Sequence, residues 1–190
     1  MFRLACIFIA LLTSTGALSQ GKNNSLKGVP FKERIVTGGG FGLGFGSTQD
    51  YISISPVIGY ALTAKVMAGT SFTFRYTNYK YYTPSVTLID YGLSPFARYT
   101  FYKGFFIQTE YEYLNYEFPL NNGETTRQQF RSFLAGGGII QPLGNKAALY
   151  FMALYNFSYV NAGTGIYTPY DSPLIIRAGI NIGGFLGVSL

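Results

Sequence analysis

The sequence predicts an all-β fold, an eight-stranded antiparallel up-and-down transmembrane β-barrel. Three observations predict it: segments with period-2 alternation recur along most of the chain, turns separate them, and aromatic residues and glycine are abundant. The chain contains 17 Tyr, 17 Phe and 24 Gly, and it is 48% hydrophobic but only 12% charged. Strands of about ten residues that are apolar on one face and polar on the other are typical of barrels with lipid outside and a polar lumen inside.

The first residues predict an export signal. Met1–Arg3 is positively charged, Leu4–Leu12 is apolar, and Ala17–Ser19 provides a small-residue cleavage site before Gln20. The apolar stretch is too short to cross about 30 Å of hydrocarbon as a helix, which favours cleavage over a membrane anchor. Cys6, the single cysteine of the chain, precedes most of the apolar stretch, so its position does not match a lipoprotein acylation site.

We therefore divide the chain into a signal peptide at 1–19, a flexible periplasmic lead-in at 20–33 and an outer-membrane β-barrel at 34–190. The lead-in is polar, contains Gly28 and Pro30, and shows no strand period. With the signal removed, the remaining length is that of one ordinary domain.

The predicted fifth strand, Phe105–Phe118, has the clearest alternation. Successive side chains of a strand point to opposite faces, so a dyad repeat indicates two different environments. One face is apolar or aromatic and consists of Phe105, Ile107, Thr109, Tyr111 and Tyr113. The opposite face is polar and includes Gln108, Glu110 and Glu112.

The same alternation predicts the other strands. In chain order, the eight predicted strands are Arg34–Gly46, Gln49–Tyr60, Lys65–Tyr79, Leu88–Phe101, Phe105–Phe118, Gln128–Gln141, Ala147–Tyr159 and a last one from Leu174 towards Leu190. In the first strand, apolar residues alternate with four glycines, which indicates space left for large neighbours inside a narrow barrel. In the second and third, isoleucine and phenylalanine alternate with serine, glycine and threonine.

The later strands are less uniform. Pro95 lies on the outward face of the fourth strand and lacks a ladder donor, so we expect a local bulge there. The sixth strand does not define its facing, because Phe133, Ala135 and Ile139 compete with Leu134 and Ile140 for the outer face. The seventh strand is clear, with aromatic and aliphatic residues at odd positions, and the eighth alternates isoleucine with glycine and polar residues.

The lengths of the connections predict the orientation. Tight turns follow strands 2, 4 and 6, at Ala61–Ala64, Tyr102–Gly104 and Leu143–Lys146, and longer loops follow strands 3, 5 and 7. An even number of strands with short turns on one side and longer loops on the other is typical of a bacterial outer-membrane barrel. We expect both ends of the barrel and the tight turns to face the periplasm.

Six charged residues are predicted to point into the lumen, three of each sign: Arg75, Asp90, Arg98, Glu110, Glu112 and Arg177. A hairpin that turns at Lys103 places Arg98 opposite Gln108, with Glu110 diagonal to it. Because buried charges need partners, we expect an ion-pair network that plugs the lumen. The alternative, in which Glu110 and Glu112 act as a general acid–base pair, requires shifted pKa values and a substrate cleft.

Other chemistry is disfavoured. The chain has no histidine, which removes the commonest general base, and with no cysteine after the signal we expect no metal site and no cofactor. The formal charge is +6, but Lys and Arg are scattered without a basic run, so we expect no nucleic-acid partner. The glycine-rich 38–46 segment lacks the Lys-Ser/Thr of a phosphate-binding loop.

Outward tyrosines near the strand ends are predicted to form interfacial girdles, in which Tyr and Phe replace the absent Trp. These residues are Tyr76, Tyr99, Tyr111, Tyr113, Tyr155 and Tyr159. The loops Tyr79–Thr87, Pro119–Thr126 and Val160–Pro173 are candidates for contact with other envelope proteins, although variable loops without a ligand explain them equally well.

Several segments together resemble a known family. They are GGGFGLGFGS, SPVIGYALT, SPFARY, QTEYEYLNYE, GGGIIQPLG and SPLIIRAGINIG, which lie between about Ile35 and Phe185. The chain resembles the small eight-stranded outer-membrane barrels found widely in Bacteroidota and, more distantly, the transmembrane domains of OmpX and OmpA. The resemblance implies an outer-membrane location, whereas it implies no reaction and no ligand. Such barrels often end on a terminal aromatic residue, whereas this chain continues past Phe185 to Leu190.

The expected function is that of a non-enzymatic outer-membrane barrel with a plugged polar lumen, embedded in outer-membrane lipid and serving envelope integrity or docking to a larger assembly. The first alternative is a narrow passive pore. A lipid-modifying enzyme is a weaker one, since lipid A-modifying barrels rely on a histidine that this chain lacks. The rival fold is a soluble secreted β-sandwich, whose outward faces would carry Lys and Glu in place of Phe, Ile and Tyr.

Overall fold

A computed structural model describes residues 26, 28–45, 49–80, 83–120, 124–144, 146–160, 169–170 and 172–183. The predicted signal peptide at 1–19 and the residues after Gly183 lie outside these ranges. A short 3-10 helix, Phe31–Arg34, precedes the strands, and the Arg34 guanidinium donates to the carbonyls of Leu26 and Val29. Among the described residues, no helix combines the length and the apolar character needed to cross a membrane.

The strands form one closed barrel in which each pairs antiparallel with its neighbours in sequence and β1 pairs with β8. The strands are β1 Ile35–Phe45, β2 Gln49–Ala61, β3 Val66–Tyr79, β4 Val86–Tyr102, β5 Phe105–Pro119, β6 Thr125–Pro142, β7 Ala147–Asn156 and β8 Leu174–Gly183. This confirms the predicted eight-stranded antiparallel up-and-down barrel. We call the end with the short β2–β3, β4–β5 and β6–β7 connections the turn end, and the opposite end the loop end.

Alternation along the strands separates a polar interior from an apolar exterior. In β5 the exposed and buried positions alternate from Phe105 to Leu114, as the period-2 pattern predicted. Exposed aliphatic and aromatic side chains cover the outside of most strands, among them Ile52, Ile54, Phe72, Phe74, Ile107, Phe151 and Ile180. A smaller apolar cluster fills part of the inside and consists of Phe106, Leu134, Ile140, Ala148, Tyr150, Met152 and Leu154.

The structure assigns the faces of β6, which the sequence left open. Leu134 and Ile140 point inward and are 0% and 4% exposed, whereas Phe133 points outward and is 44% exposed. The buried set packs with Phe106 on β5 and with residues of β7, so contacts with the two neighbouring strands distinguish the inward apolar residues of β6 from the outward ones.

The β4–β5 turn is tight for a local reason. Lys103 and Gly104 both have positive φ, 41° and 82°, the backbone that a two-residue hairpin turn requires. A Cβ at position 104 would also collide with the carbonyl oxygen of Ile140, so only glycine suits this position.

Several details differ from the sequence prediction. β6 begins at Thr125, three residues before the predicted Gln128, and Arg34 belongs to the 3-10 helix and not to the first strand. β7 ends at Asn156, three residues before the predicted end, because the chain turns there and the Tyr159 amide donates to the Asn156 carbonyl at 3.3 Å. The bulge expected at Pro95 is also misplaced. The β3–β4 register runs through Thr70↔Pro95 unbroken, and the register shift of β4 lies between Thr100 and Tyr102.

The pairing between β1 and β8 stops early towards the loop end. Among the described residues it comprises four residue pairs, from Val36↔Gly183, the last described position of β8, to Gly39↔Ile180. The other seven strand pairs have between nine and fifteen. Gly40–Phe45 of β1 and Leu174–Gly179 of β8 therefore run alongside each other at the loop end without ladder pairs. We call this unpaired stretch the seam.

Candidate functional site in the barrel lumen

The lumen contains an ion-paired cluster where β5 faces β8. The Arg177 Nη1 atom lies 2.6 Å from Glu110 Oε2, and its Nη2 atom lies 3.4 Å from Glu112 Oε1. Strand alternation places the two carboxylates on the same inner face, and both are nearly fully buried. One guanidinium thus joins two carboxylates that would otherwise repel each other.

Arg98 joins this cluster through a glutamine. The Arg98 Nε donates to Gln108 Oε1 at 2.6 Å, and Gln108 Nε2 donates in turn to Glu110 Oε1. The two residues lie opposite each other in the β4–β5 register, as predicted. The buried Arg98 guanidinium also lies 4.2 Å from the centre of the Phe106 ring, a cation–π contact in a desolvated site.

These contacts form one connected group, which we call the luminal charge cluster: Arg98, Gln108, Glu110, Glu112 and Arg177. It crosses the lumen from β4 through β5 to β8. Four of the six predicted luminal charges belong to it.

The structure does not bring Arg75 and Asp90 into this cluster. They are direct register partners on β3 and β4, yet no ion pair joins them among the described residues. Asp90 Oδ1 instead accepts the Glu117 backbone amide at 3.0 Å. Arg75 lies over the Tyr51 ring at 5.8 Å, and its buried Nε atom has no hydrogen-bond partner in the described part of the chain.

Tyr170, in the β7–β8 connection, covers the cluster from the loop end. Its hydroxyl donates to Glu112 Oε2, and burial, with the nearby Glu112 carboxylate, raises its pKa well above the ordinary value. The hydroxyl therefore stays protonated and remains a donor at neutral pH. Sequence analysis missed this residue, because 58 positions separate the two partners and no spacing pattern connects them.

Three internal cavities follow the lumen from the loop end to the turn end. The largest, about 280 Å³, is lined by Arg75, Asp90, Glu112, Tyr170 and Arg177 among others. Below it, beside Arg98, the remaining cavities measure only about 30 Å³ and 20 Å³. A water molecule needs about 10–15 Å³ on this measure, so the smaller cavities have room for only about one to three waters each.

The predicted girdle tyrosines differ in position. Five are exposed on outward strand faces, namely Tyr76, Tyr99, Tyr111, Tyr113 and Tyr155. Tyr159 lies beyond the end of β7 and is not on a strand. At the loop end, outward tyrosines also contact arginines: Arg131 lies 5.3 Å from the Tyr113 ring and Arg127 lies 5.3 Å from the Tyr91 ring.

The geometry limits the chemistry available to the two glutamates. Both Glu110 oxygens and both Glu112 oxygens already accept hydrogen bonds from Gln108, Arg177 or Tyr170. Among the described residues, no group of three or more acidic, histidine or cysteine side chains is arranged to hold a metal.

A closed eight-stranded barrel with an apolar exterior and a charged, side-chain-filled interior is the architecture of a transmembrane β-barrel. No protein-family model matches the chain, and no curated protein matches it in sequence. A similar solved structure is the N-terminal β-barrel domain of Pseudomonas aeruginosa OprF. The two share 16% sequence identity with a TM-score of 0.45, over 79% of this chain and 97% of that one.

Proposed function

We propose that the protein is a non-enzymatic integral outer-membrane barrel whose polar lumen is closed by side chains and which serves envelope integrity or docking. The luminal charge cluster is the observation that supports this proposal most directly. Its members cross the lumen and are held by hydrogen bonds and ion pairs of 2.5–3.4 Å. Ions would have to break these contacts to pass.

The exterior supports the membrane location. Exposed phenylalanine, isoleucine and leucine side chains recur on β1 to β8, and such surface is stable against hydrocarbon but costly in water. A closed barrel also leaves few strand edges that lipid would have to satisfy. The export signal expected at 1–19 agrees with this location.

A non-enzymatic role agrees with the occupied carboxylates. A general base needs a carboxylate oxygen that can come within hydrogen-bond reach of a substrate proton. In the luminal charge cluster, Arg177 holds an oxygen of each glutamate, and the others accept from Gln108 and Tyr170.

Docking through the loop end completes the proposal. β4, β5 and β6 are the longest strands, with 17, 15 and 18 residues, so their loop ends extend furthest. There Arg127 pairs with Glu117 at 2.9 Å and donates to Asn115 at 3.1 Å. These polar side chains give the loop end a polar surface in place of the apolar surface found along the middle of the strands. A polar extension of this kind is suited to contact with another envelope component.

Single-channel conductance of the purified protein in planar bilayers tests the closed lumen. Folding is first verified by the shift in gel migration on heating. We expect the folded wild type to be silent and Glu110→Ala to conduct, because this change removes the acceptor shared by Gln108 and Arg177.

Arg131→Ala is the matched control, since it removes an arginine from the outer face and should stay silent. Reproducible conductance of the folded wild type, altered by Arg98→Ala or Glu110→Ala, would replace the closed barrel by a narrow passive pore.

A further inference from the structure

The largest luminal cavity reaches the outside of the barrel through the seam. Its lining includes inward residues such as Arg75 and Glu112 and also outward residues from the two sides of the seam, Phe41 on β1 and Ile176 and Ala178 on β8. Phe41 is flanked by Gly40 and Gly42, so its backbone faces the lumen, and the cavity borders β1 and β8 where the two strands have no ladder pairs. The two backbones are still close at the start of the seam, where a Cβ on Gly40 would lie 3.1 Å from the Ala178 carbonyl oxygen. A lateral opening therefore has to lie beyond this point, towards the loop end.

The opening lies within the apolar exterior. Phe41 is 66% exposed and Ile176 is 77% exposed, the highest value among the large apolar side chains. Backbone groups without ladder partners are tolerated at membrane depth only where they line a water-filled cavity, which the seam does. The opening thus has apolar rims facing lipid and polar groups behind them.

One cation inside the cavity has no direct ion-pair contact in the described part of the chain, although Asp90 is its register partner. Arg177 is held by Glu110 and Glu112, whereas Arg75 makes no ion pair and leaves its buried Nε without a hydrogen-bond partner in the described part of the chain. Buried guanidinium groups are stable when a carboxylate or phosphate accepts their protons. Arg75 therefore has the chemistry to bind an acidic group that enters the cavity.

The charges around Arg75 favour a head group with one negative charge. Arg75, Arg177, Asp90 and Glu112 line the cavity and their formal charges sum to zero, so a bound monoanion leaves a net charge of −1, whereas a dianion leaves a less favourable −2. A doubly charged phosphate would also face Asp90 and Glu112. At about 280 Å³ the cavity accepts a small head group, and an attached chain would have to remain outside in the bilayer.

We propose that the seam is a lateral entry through which a long-chain fatty acid places its carboxylate on Arg75 while its acyl chain lies between Phe41 and Ile176. This binding function goes beyond the closed barrel, because the luminal charge cluster below the cavity keeps the turn-side half shut. The ligand enters from the membrane and does not cross the lumen.

Photolabelling tests this proposal. The folded full chain is placed in phosphatidylcholine vesicles with palmitic acid that has a diazirine on its chain, irradiated, and digested for peptide mass spectrometry. We expect labels concentrated on peptides containing Phe41 and Ile176. Unlabelled palmitate should compete for these positions, and hexadecanol, which lacks the acidic head, should not.

Arg75→Gln should reduce labelling at the seam by about tenfold, the loss expected for one charge-assisted hydrogen-bonded pair. Arg75→Lys should retain most of it. Arg131→Gln removes an arginine from the outer surface and should change nothing. If Arg75→Gln does not fold, Arg75→Lys and the two competitors in the wild type decide the question.

Labels spread evenly around the barrel would overturn the proposal, and so would equal competition by hexadecanol or full labelling of folded Arg75→Gln. Stronger competition by hexadecyl phosphate than by palmitate would overturn the assignment of a carboxylate.

Discussion

The turn-side half of the lumen is filled, whereas the loop-side half is hollow and open at its side. Near the turns, Arg98, Phe106 and the apolar cluster leave cavities of only about 30 and 20 Å³. Near the loops, a cavity of about 280 Å³ reaches the seam. The same strands build both halves, so the difference comes from side-chain size and from where β1 and β8 separate. The same strands therefore enclose a filled region and a hollow region in one lumen.

The largest expected effect comes from the luminal charge cluster. Glu110→Gln leaves one Arg177 proton facing an amide group, and breaking a buried pair in this way costs about 3–5 kcal/mol. We expect the free energy of unfolding, measured by urea titration in vesicles, to fall by that amount. The matched change Glu117→Gln affects a partly exposed pair with Arg127 and should cost about 0–1 kcal/mol. Equal losses at the two positions would show that the turn-side half is not the better-packed region.

A pair of glycines tests the packing of the two halves. A Cβ at position 138 would collide with the Phe151 carbonyl oxygen and lie 2.7 Å from Phe106 Cζ, so Gly138→Ala should cost at least about 1–3 kcal/mol through overpacking. At position 40 the closest atoms are the Ala178 carbonyl oxygen at 3.1 Å and the Tyr150 hydroxyl at 3.9 Å. Because Ala178 lies in the unpaired seam and can shift, Gly40→Ala should cost less than 1 kcal/mol. The temperature at which the folded gel band disappears measures the stability of both variants. A larger decrease of this temperature for Gly40→Ala than for Gly138→Ala would contradict the proposed difference in packing between the two halves.

Amide exchange should distinguish the seam from the paired wall. Amides of Gly40–Phe45 that point towards β8 have no ladder acceptor there, whereas those that point towards β2 do. We expect the first set to exchange faster in detergent-bound protein, by nuclear magnetic resonance. Uniform protection along β1 would mean that the seam is closed in solution.

The smallest expected effect concerns Tyr170. Tyr170→Phe removes the donor to Glu112, whose other oxygen keeps its contact with Arg177, so stability should fall by about 1 kcal/mol. The pKa of the Tyr170 hydroxyl is higher in the folded state than in the unfolded state. The free energy of unfolding therefore does not depend on this group while the hydroxyl is protonated in both states. It falls only as the pH rises past the ordinary value of 10, where the hydroxyl ionises in the unfolded chain. Urea titrations at neutral and alkaline pH measure this dependence. A fall in the free energy of unfolding that depends on Tyr170 and begins at mildly alkaline pH would contradict the prediction.

Local pattern was enough to predict most of the barrel. Period 2 separated inward Glu110 and Glu112 from outward Tyr111 and Tyr113, and the glycine turn at Lys103 set the register that places Arg98 opposite Gln108. Each of these relations depends on residues that are neighbours in sequence or across one hairpin. That is the range over which strand alternation and turn chemistry act.

Relations between distant residues could not be predicted in this way. Which of the inward charges pair depends on strands far apart in sequence. Arg177 reaches Glu110 across 67 residues, while Arg75 makes no ion pair with a described residue although Asp90 is its register partner. The facing of Leu134 was left open for a local reason, because both faces of β6 carry apolar residues and alternation could not separate them without the packing against Phe106 and β7. The early end of β7 and the misplaced bulge at Pro95 follow from loop and register geometry that composition does not reveal.

The short β1–β8 joint also bears on how the chain assembles. It connects the most distant segments of the barrel, as the bond from Thr37 Oγ1 to the Ile182 carbonyl across 145 residues shows. Bringing such segments together costs more chain entropy than closing any hairpin, and within the described part of the joint four residue pairs compensate for it. We therefore expect this joint to form last during insertion and to separate first under mechanical load. Pulling on the two ends of the barrel would then peel away β1 and β8 before any hairpin yields.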